Sequence, residues 1–168
     1  MAAKPVILLV EANADDVFMI RHTLEHAFFS HSLQVASDAE EALAYLKGDR
    51  KYRNRADYPL PSLILLALKL PKMDGFNLLR WIRRQSRFKS IRIVVLTDSV
   101  DIPAVKTAYD LGANSFLAKP ADFKDGVRLM LVLAAQWLPA GTYRREASLP
   151  AASRGRRPSI PDKQNRAA

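Results

Sequence analysis

Four stretches of this 168-residue chain set polar residues directly after short apolar runs: Glu11–Asp16, Ala67–Lys72, Thr97–Ser99 and Lys119–Pro120. Lys119 and the Thr97 hydroxyl are donors suited to holding an anion. Glu11 is a carboxylate that can pair with Lys119, directly or through water. Asp15, Asp16, Asp74 and Asp98 lie close by. Ordinary roles account for most of these: Asp15 and Asp16 complement a helix dipole, and Asp74–Gly75 serves a turn. The chain has no cysteine, which excludes disulfides, thiolate metal centres and cysteine nucleophiles. His22 and His26 stand four apart and His31 follows, but no third ligand is evident. An exposed helix face explains them, and no metal site is expected.

Short apolar runs alternating with amphipathic stretches must bring these residues together. Val6–Val10, Leu33–Ala36, Leu63–Leu66, Ile93–Leu96 and Ser115–Ala118 read as strands, the first apolar throughout as a strand buried on both faces requires. Val17, Ile20, Leu24 and Ala27 recur at helical spacing, with Asn13 or Asp15 available as the cap. Asp38 with Glu41 opens a second helix, on which Ala39, Ala42, Leu43 and Leu46 form one face before Gly48. Asp49–Pro61 is a polar loop that Tyr52 and Tyr58 pin to the body. Phe76, Leu79 and Ile82 mark a third helix with Arg80, Arg83 and Arg84 on its other side. Pro103 suits the first turn of a fourth that ends at Gly112, and Asp122–Leu138 is the last. Five strands alternating with five helices make an α/β fold, a parallel sheet covered on both faces. In such sheets ligand chemistry gathers at the carboxyl edge, so the four stretches share one crevice.

Nearly half the residues are apolar and a quarter are charged, the balance of a folded domain. No apolar run approaches a membrane span, and the run after Lys4 meets Glu11 too soon for a secretory signal. A cytoplasmic location is expected. Of the net charge of +9, +5 falls in residues 141–168, which hold seven basic and two acidic residues. That stretch is rich in Ala, Arg, Ser and Pro and is read as a disordered basic tail behind a domain of residues 1–140. Arg-Arg patterns before Ser148 and Ser159 suit basophilic kinases, but arise readily by chance in such a tail.

The pieces V-E-A-N, L-I-L-L-A-L-K-L-P-K-M-D-G, V-V-L-T-D-S and F-L-A-K-P, in that order through residues 5–138, resemble the receiver domain of bacterial two-component response regulators. The loop before the third strand and the run A-D-D-V-F-M-I-R-H-T-L look most like stand-alone regulators paired with phytochrome-type kinases. The resemblance implies a flavodoxin-like three-layer (βα)5 fold with strand order 2-1-3-4-5. It also implies that an aspartate ending the third strand takes a phosphoryl group from a phosphohistidine. Mg²⁺ is then held by two carboxylates after the first strand and a backbone carbonyl past the acceptor. Aligned on this chain, the acceptor position is Ala67, the acidic pair Glu11 and Ala12, and the carbonyl that of Lys69. The phosphoryl contacts are Thr97 and Lys119, and the switch aromatic is Phe116.

Two of three carboxylates are therefore replaced. An alanine methyl carries no lone pair and cannot be a nucleophile, and Glu11 alone is a poor Mg²⁺ site. Two readings of Ala12 and Ala67 stand, native features of a degenerate receiver, which is favoured, and laboratory substitutions that silence a normal one. Glu11 and Lys119 sum to zero charge, so a metal-free, near-neutral pocket is expected. The favoured function is a pseudo-receiver of phosphorelay signalling, not an enzyme, acting by phosphorylation-independent binding to a histidine kinase or another signalling protein. The alternatives are phosphorylation on a substitute aspartate and nucleic-acid binding through the basic tail.

The last helix is apolar on more than one face, which suggests a second contact. A dimer or partner face is expected over the fourth helix, fifth strand and fifth helix, at Tyr109, Leu129 and Leu133. The alternative is that Leu138–Tyr143 folds back over it. Arg80, Arg83, Arg84, Arg87, Lys89 and Arg92 form an acid-free run near Trp81. A solvated face is the expected reading, and nucleic-acid binding there is not expected. Residues 141–168 are too few for an output domain, so output is expected to pass through binding.

Overall fold

The computed structural model describes residues 5–27 and 32–137. His31, Leu138 (the expected limit of the last helix), the Leu138–Tyr143 stretch and residues 141–168 lie outside them. Five strands, β1 (Val6–Val10), β2 (Ser32–Ala36), β3 (Leu63–Ala67), β4 (Arg92–Thr97) and β5 (Ser115–Ala118), form one parallel sheet in the order β2-β1-β3-β4-β5. The helices are α1 (Ala14–Ala27), α2 (Ala39–Lys47), α3 (Gly75–Arg84), α4 (Ile102–Asp110) and α5 (Phe123–Trp137).

Strand periodicity splits the core in two. Leu8, Val10, Ile64, Leu66, Ile93 and Val95 face α2, α3 and α4, whereas Ile7, Leu9, Leu63, Leu65, Val94 and Leu96 face α1 and α5. Right-handed crossovers require this division. The chain steps one way from β1 to β2 and the other way from β2 onward, so α1 lands opposite α2, α3 and α4. The reversal leaves a crevice at the carboxyl ends of β1 and β3.

Local signals set the helix starts. Asn13 Oδ1 accepts from the N–H groups of Asp15 and Asp16 at 2.9 and 3.1 Å, so Asn13 is the cap of α1. Asp38 and Asp74 accept from Glu41 and Asn77 N–H in the same way. Gly48 closes α2 at φ 74°, in the left-handed region that suits glycine. A 3-10 turn at Arg50–Arg53 lies within the polar loop. Tyr52 is buried there, its hydroxyl donating to Glu41 Oε1 at 2.7 Å, and its ring meets those of Tyr45 and Tyr58.

Arg83 departs from its expected place on a solvated face. Its Nε donates to Gly112 O at 2.8 Å, and its other nitrogens reach Phe88 O and Asn114 Oδ1. Burial, with nearby Arg92, lowers its pKa from the ordinary value. The side chain ties α3 to the turn after α4.

Gly75 positions the crevice. Its N–H donates to Leu68 O at 2.9 Å, and a Cβ there would run into the Ala67 carbonyl oxygen and Leu68 Cα. The loop after β3 can thus close directly under α3. Gly75→Ala is expected to cost about 1–3 kcal/mol, because backbone must move; urea denaturation of the variant checks this.

Candidate functional site

Each candidate side chain is placed by the end of a strand. Glu11 follows β1, and its N–H donates to Ala36 O at 3.0 Å, continuing the ladder. This draws its carboxylate under the crevice, where the residue is only 3% exposed. A buried carboxylate needs partners, and both oxygens have one. Oε1 accepts from Asn13 N–H at 3.1 Å, and Oε2 lies 2.8 Å from Lys119 Nζ. Lys119 follows β5, with its N–H donating to Thr97 O at 2.7 Å.

The Lys119 ammonium also donates to Asp16 Oδ2 at 2.8 Å, and Asp98 Oδ1 stands 3.7 Å away. The expected pairing of Glu11 with Lys119 is therefore a wider cluster. Its formal charge is −2 rather than zero: one ammonium facing three carboxylates. The near-neutral expectation is corrected by Asp16 and Asp98. Asp16 sits in the first turn of α1, where Asn13 capping turns its side chain toward Lys119. Burial works against the Lys119 charge, but hydrogen bonds to Asp16 and Glu11, with their negative charge, outweigh it. The pKa of Lys119 is raised from its ordinary value.

Ala67, at the end of β3 beside Leu96, is 3% exposed and puts a methyl into the crevice. Ala12 is exposed, as is Lys69. Neither alanine supplies a side-chain oxygen. Both oxygens of Glu11 are engaged, and Asp16 lies on Lys119. This donor set does not fit Mg²⁺, which wants near-octahedral oxygen ligands. Among the described residues, no group of three or more His, Asp or Glu could hold a metal ion. The Thr97 hydroxyl donates to Ser99 O at 3.1 Å, within its own loop. Phe116 is buried in the core beneath α4.

The fifth helix needs a further correction. Leu133 is 1% exposed and packs with Ile20, Leu24 and Met130, so it cannot belong to a partner face. The second apolar face of α5 meets α1. Gly126 allows this approach, since a Cβ there would strike the Thr23 methyl. Leu129 is half-buried against the same core, while Val132 is 54% exposed. Tyr109 is exposed on α4, as is Ile102. Leu133→Ala is expected to cost about 2–5 kcal/mol, against less than about 1 kcal/mol for Val132→Ala; denaturant unfolding of both separates core from surface. His22 and His26 pack on Phe123, with ring centroids 4.8 and 4.9 Å away.

Residues 7–130 match the family model of the response regulator receiver domain. Response regulator Rcp1 of Synechocystis is 35% identical over 137 residues, covering 82% of this chain and 91% of Rcp1. The Mn²⁺-bound form of Rcp1 superimposes with a TM-score of 0.71 at 34% identity, over 83% of this chain and 99% of that one. The phosphorylated cyanobacterial phytochrome response regulator RcpA gives 0.74 at 33% identity, over 84% and 99%. No described helix is long and apolar enough to cross a membrane.

Proposed function

Since this chain belongs to the response regulator receiver family of two-component signal transduction, we propose that it is a pseudo-receiver whose output is binding without phosphoryl transfer. The observation that carries this reading is the pair of alanines in the crevice, above all Ala67 where β3 ends. Phosphoryl transfer needs a nucleophilic oxygen there, and a methyl has none. In this reading no Mg²⁺ is bound, because the donors that would hold it are absent or engaged. Lys119 stands in as the cation of the site.

With Lys119 held by two carboxylates and Thr97 by its own loop, the parts that would sense a phosphoryl group rest in one arrangement. A histidine kinase or another signalling protein is the proposed partner. Tyr109 and Ile102, both exposed on α4, support a docking face there. The partner works by stabilising or sequestering this arrangement, since a ligand shifts only states it binds differently.

Asp16 favours one second reading. It is half-buried and touches Lys119 at 2.8 Å, so it is the carboxylate best placed to replace the missing acceptor. Intact-mass measurement after incubation with acetyl phosphate and Mg²⁺ separates the two. The native chain is expected to gain no phosphoryl group, whereas Ala12→Asp/Ala67→Asp gains one. Labelling of the native chain, lost in Asp16→Asn, would establish the substitute acceptor instead.

A further inference from the structure

We propose that the concavity beside α3 is a binding site for a nucleoside phosphate, with Trp81 taking the base and Arg80, Arg84 and Lys72 the phosphates. It lies apart from the crevice and does not depend on the reading given to that site. The concavity is open to solvent, has a volume of about 450 Å³ and is lined by Lys72, Met73, Asn77, Arg80, Trp81 and Arg84. That volume falls within the range of small-molecule sites. Three of its six lining residues are cations and none is a carboxylate.

The spacing along the helix suits such a ligand. Asn77, Arg80, Trp81 and Arg84 stand at i, i+3, i+4 and i+7, one stripe about 10 Å long. Lys72 and Met73, from the loop after β3, close its N-terminal end. The ion pairs among described residues use Arg50, Lys51, Lys72, Lys106 and Lys119, so both guanidiniums of the stripe are without a carboxylate. Arg80 Nη1 donates to Asn77 Oδ1 at 3.0 Å, which orients it along the stripe. Lys72 also pairs with Glu40, in the first turn of α2, at 3.2 Å, both side chains exposed.

Trp81 is fixed before any ligand arrives. Its ring packs against Phe88, with centroids 6.1 Å apart, and the Lys47 ammonium stands 5.4 Å from its centre. Neither Lys47 nor Phe88 lines the cavity. A half-buried, immobilised indole between two arginines offers a π surface and planar donor forks together. An acidic peptide would use the donors but has no need of the indole. A ligand that carries both an aromatic base and phosphate uses all of them.

The test is calorimetric titration of the full chain with ATP, adenosine and inorganic tripolyphosphate. ATP is expected to bind one to one, with adenosine and tripolyphosphate each weaker by about tenfold or more. Arg80→Ala/Arg84→Ala is expected to weaken ATP by about tenfold or more at an unchanged melting temperature, because both residues are exposed. Arg156→Ala/Arg157→Ala, in the basic C-terminal stretch, is expected to leave ATP binding as it was. The proposal is overturned if ATP does not bind. It is equally overturned if tripolyphosphate binds as tightly as ATP, or if the loss follows Arg156 and Arg157 instead of Arg80 and Arg84.

Discussion

Lys119→Met is expected to lower the free energy of unfolding by about 3–5 kcal/mol, the usual cost of leaving one member of a buried ion pair behind. Methionine keeps the unbranched stem and removes only the ammonium. Glu11 then holds a single N–H donor, from Asn13, at a site with almost no access to water. The contact with Asp16 contributes less, because that carboxylate is partly solvated. Glu11→Gln/Lys119→Met is expected to recover most of the loss, since the deeply buried carboxylate charge is gone and Asp16 and Asp98 remain partly solvated. The pH dependence has a definite sign. The folded-state pKa of Lys119 is raised above its ordinary 10.5. Its contribution is therefore complete below that value and disappears as the pH rises through the folded pKa. Urea denaturation from neutral to strongly alkaline pH checks both points. The native chain should show an alkaline loss that the methionine variant lacks. A neutral-pH effect below about 1 kcal/mol would mean that the pair is solvated like a surface bridge.

The second large effect is the appearance of a metal dependence. Ala12→Asp/Ala67→Asp adds two carboxylates to a cluster that already sets three against one ammonium. Without a divalent cation the variant is expected to be less stable than the native chain, because like charges at short range repel. Adding Mg²⁺ should reverse this. At about a hundredfold excess over the dissociation constant, binding to the folded state alone contributes about 2.7 kcal/mol. The native chain should melt at the same temperature with and without Mg²⁺. Thermal melts of both proteins, each with Mg²⁺ and with chelator, read this directly. An equal rise in both would show that Glu11, Asp16 and Asp98 can hold a cation after all.

The sequence was most informative where backbone and side-chain patterns coincide. β1 and β5 fall at their expected limits because a charged residue follows each apolar run closely. β2, β3 and β4 run one or two residues further, to Ser32, Ala67, Arg92 and Thr97. Those residues pair through backbone groups, which apolarity does not report. The positions of Glu11, Lys119, Thr97 and Ala67 at strand ends were legible for the same topological reason. Asp16 was not, because its partner lies 103 residues away and its first-turn position has a sufficient local explanation. Arg83 and Leu133 were misplaced by treating a helix as having one inner face. Arg83 lies on the flank of α3 that meets the turn after α4, and Leu133 on the flank of α5 that meets α1. Neighbouring helices bury such flanks, and one helix's periodicity cannot announce its neighbours.

The close seating of α5 on α1, with Gly126 against Thr23, bears on how the chain becomes ordered during synthesis. Ile20 and Leu24 emerge from the ribosome early, yet their cover includes Met130, Leu133 and Ala134, which emerge more than 100 residues later. The sheet can begin to assemble from β1, β2 and β3, but the layer containing α1 stays open until α5 has been made. Contacts of such long sequence separation form slowly and leave apolar surface exposed meanwhile. A chain stopped before Phe123 would thus present the inner face of α1 to solvent, a natural target for chaperones and proteases.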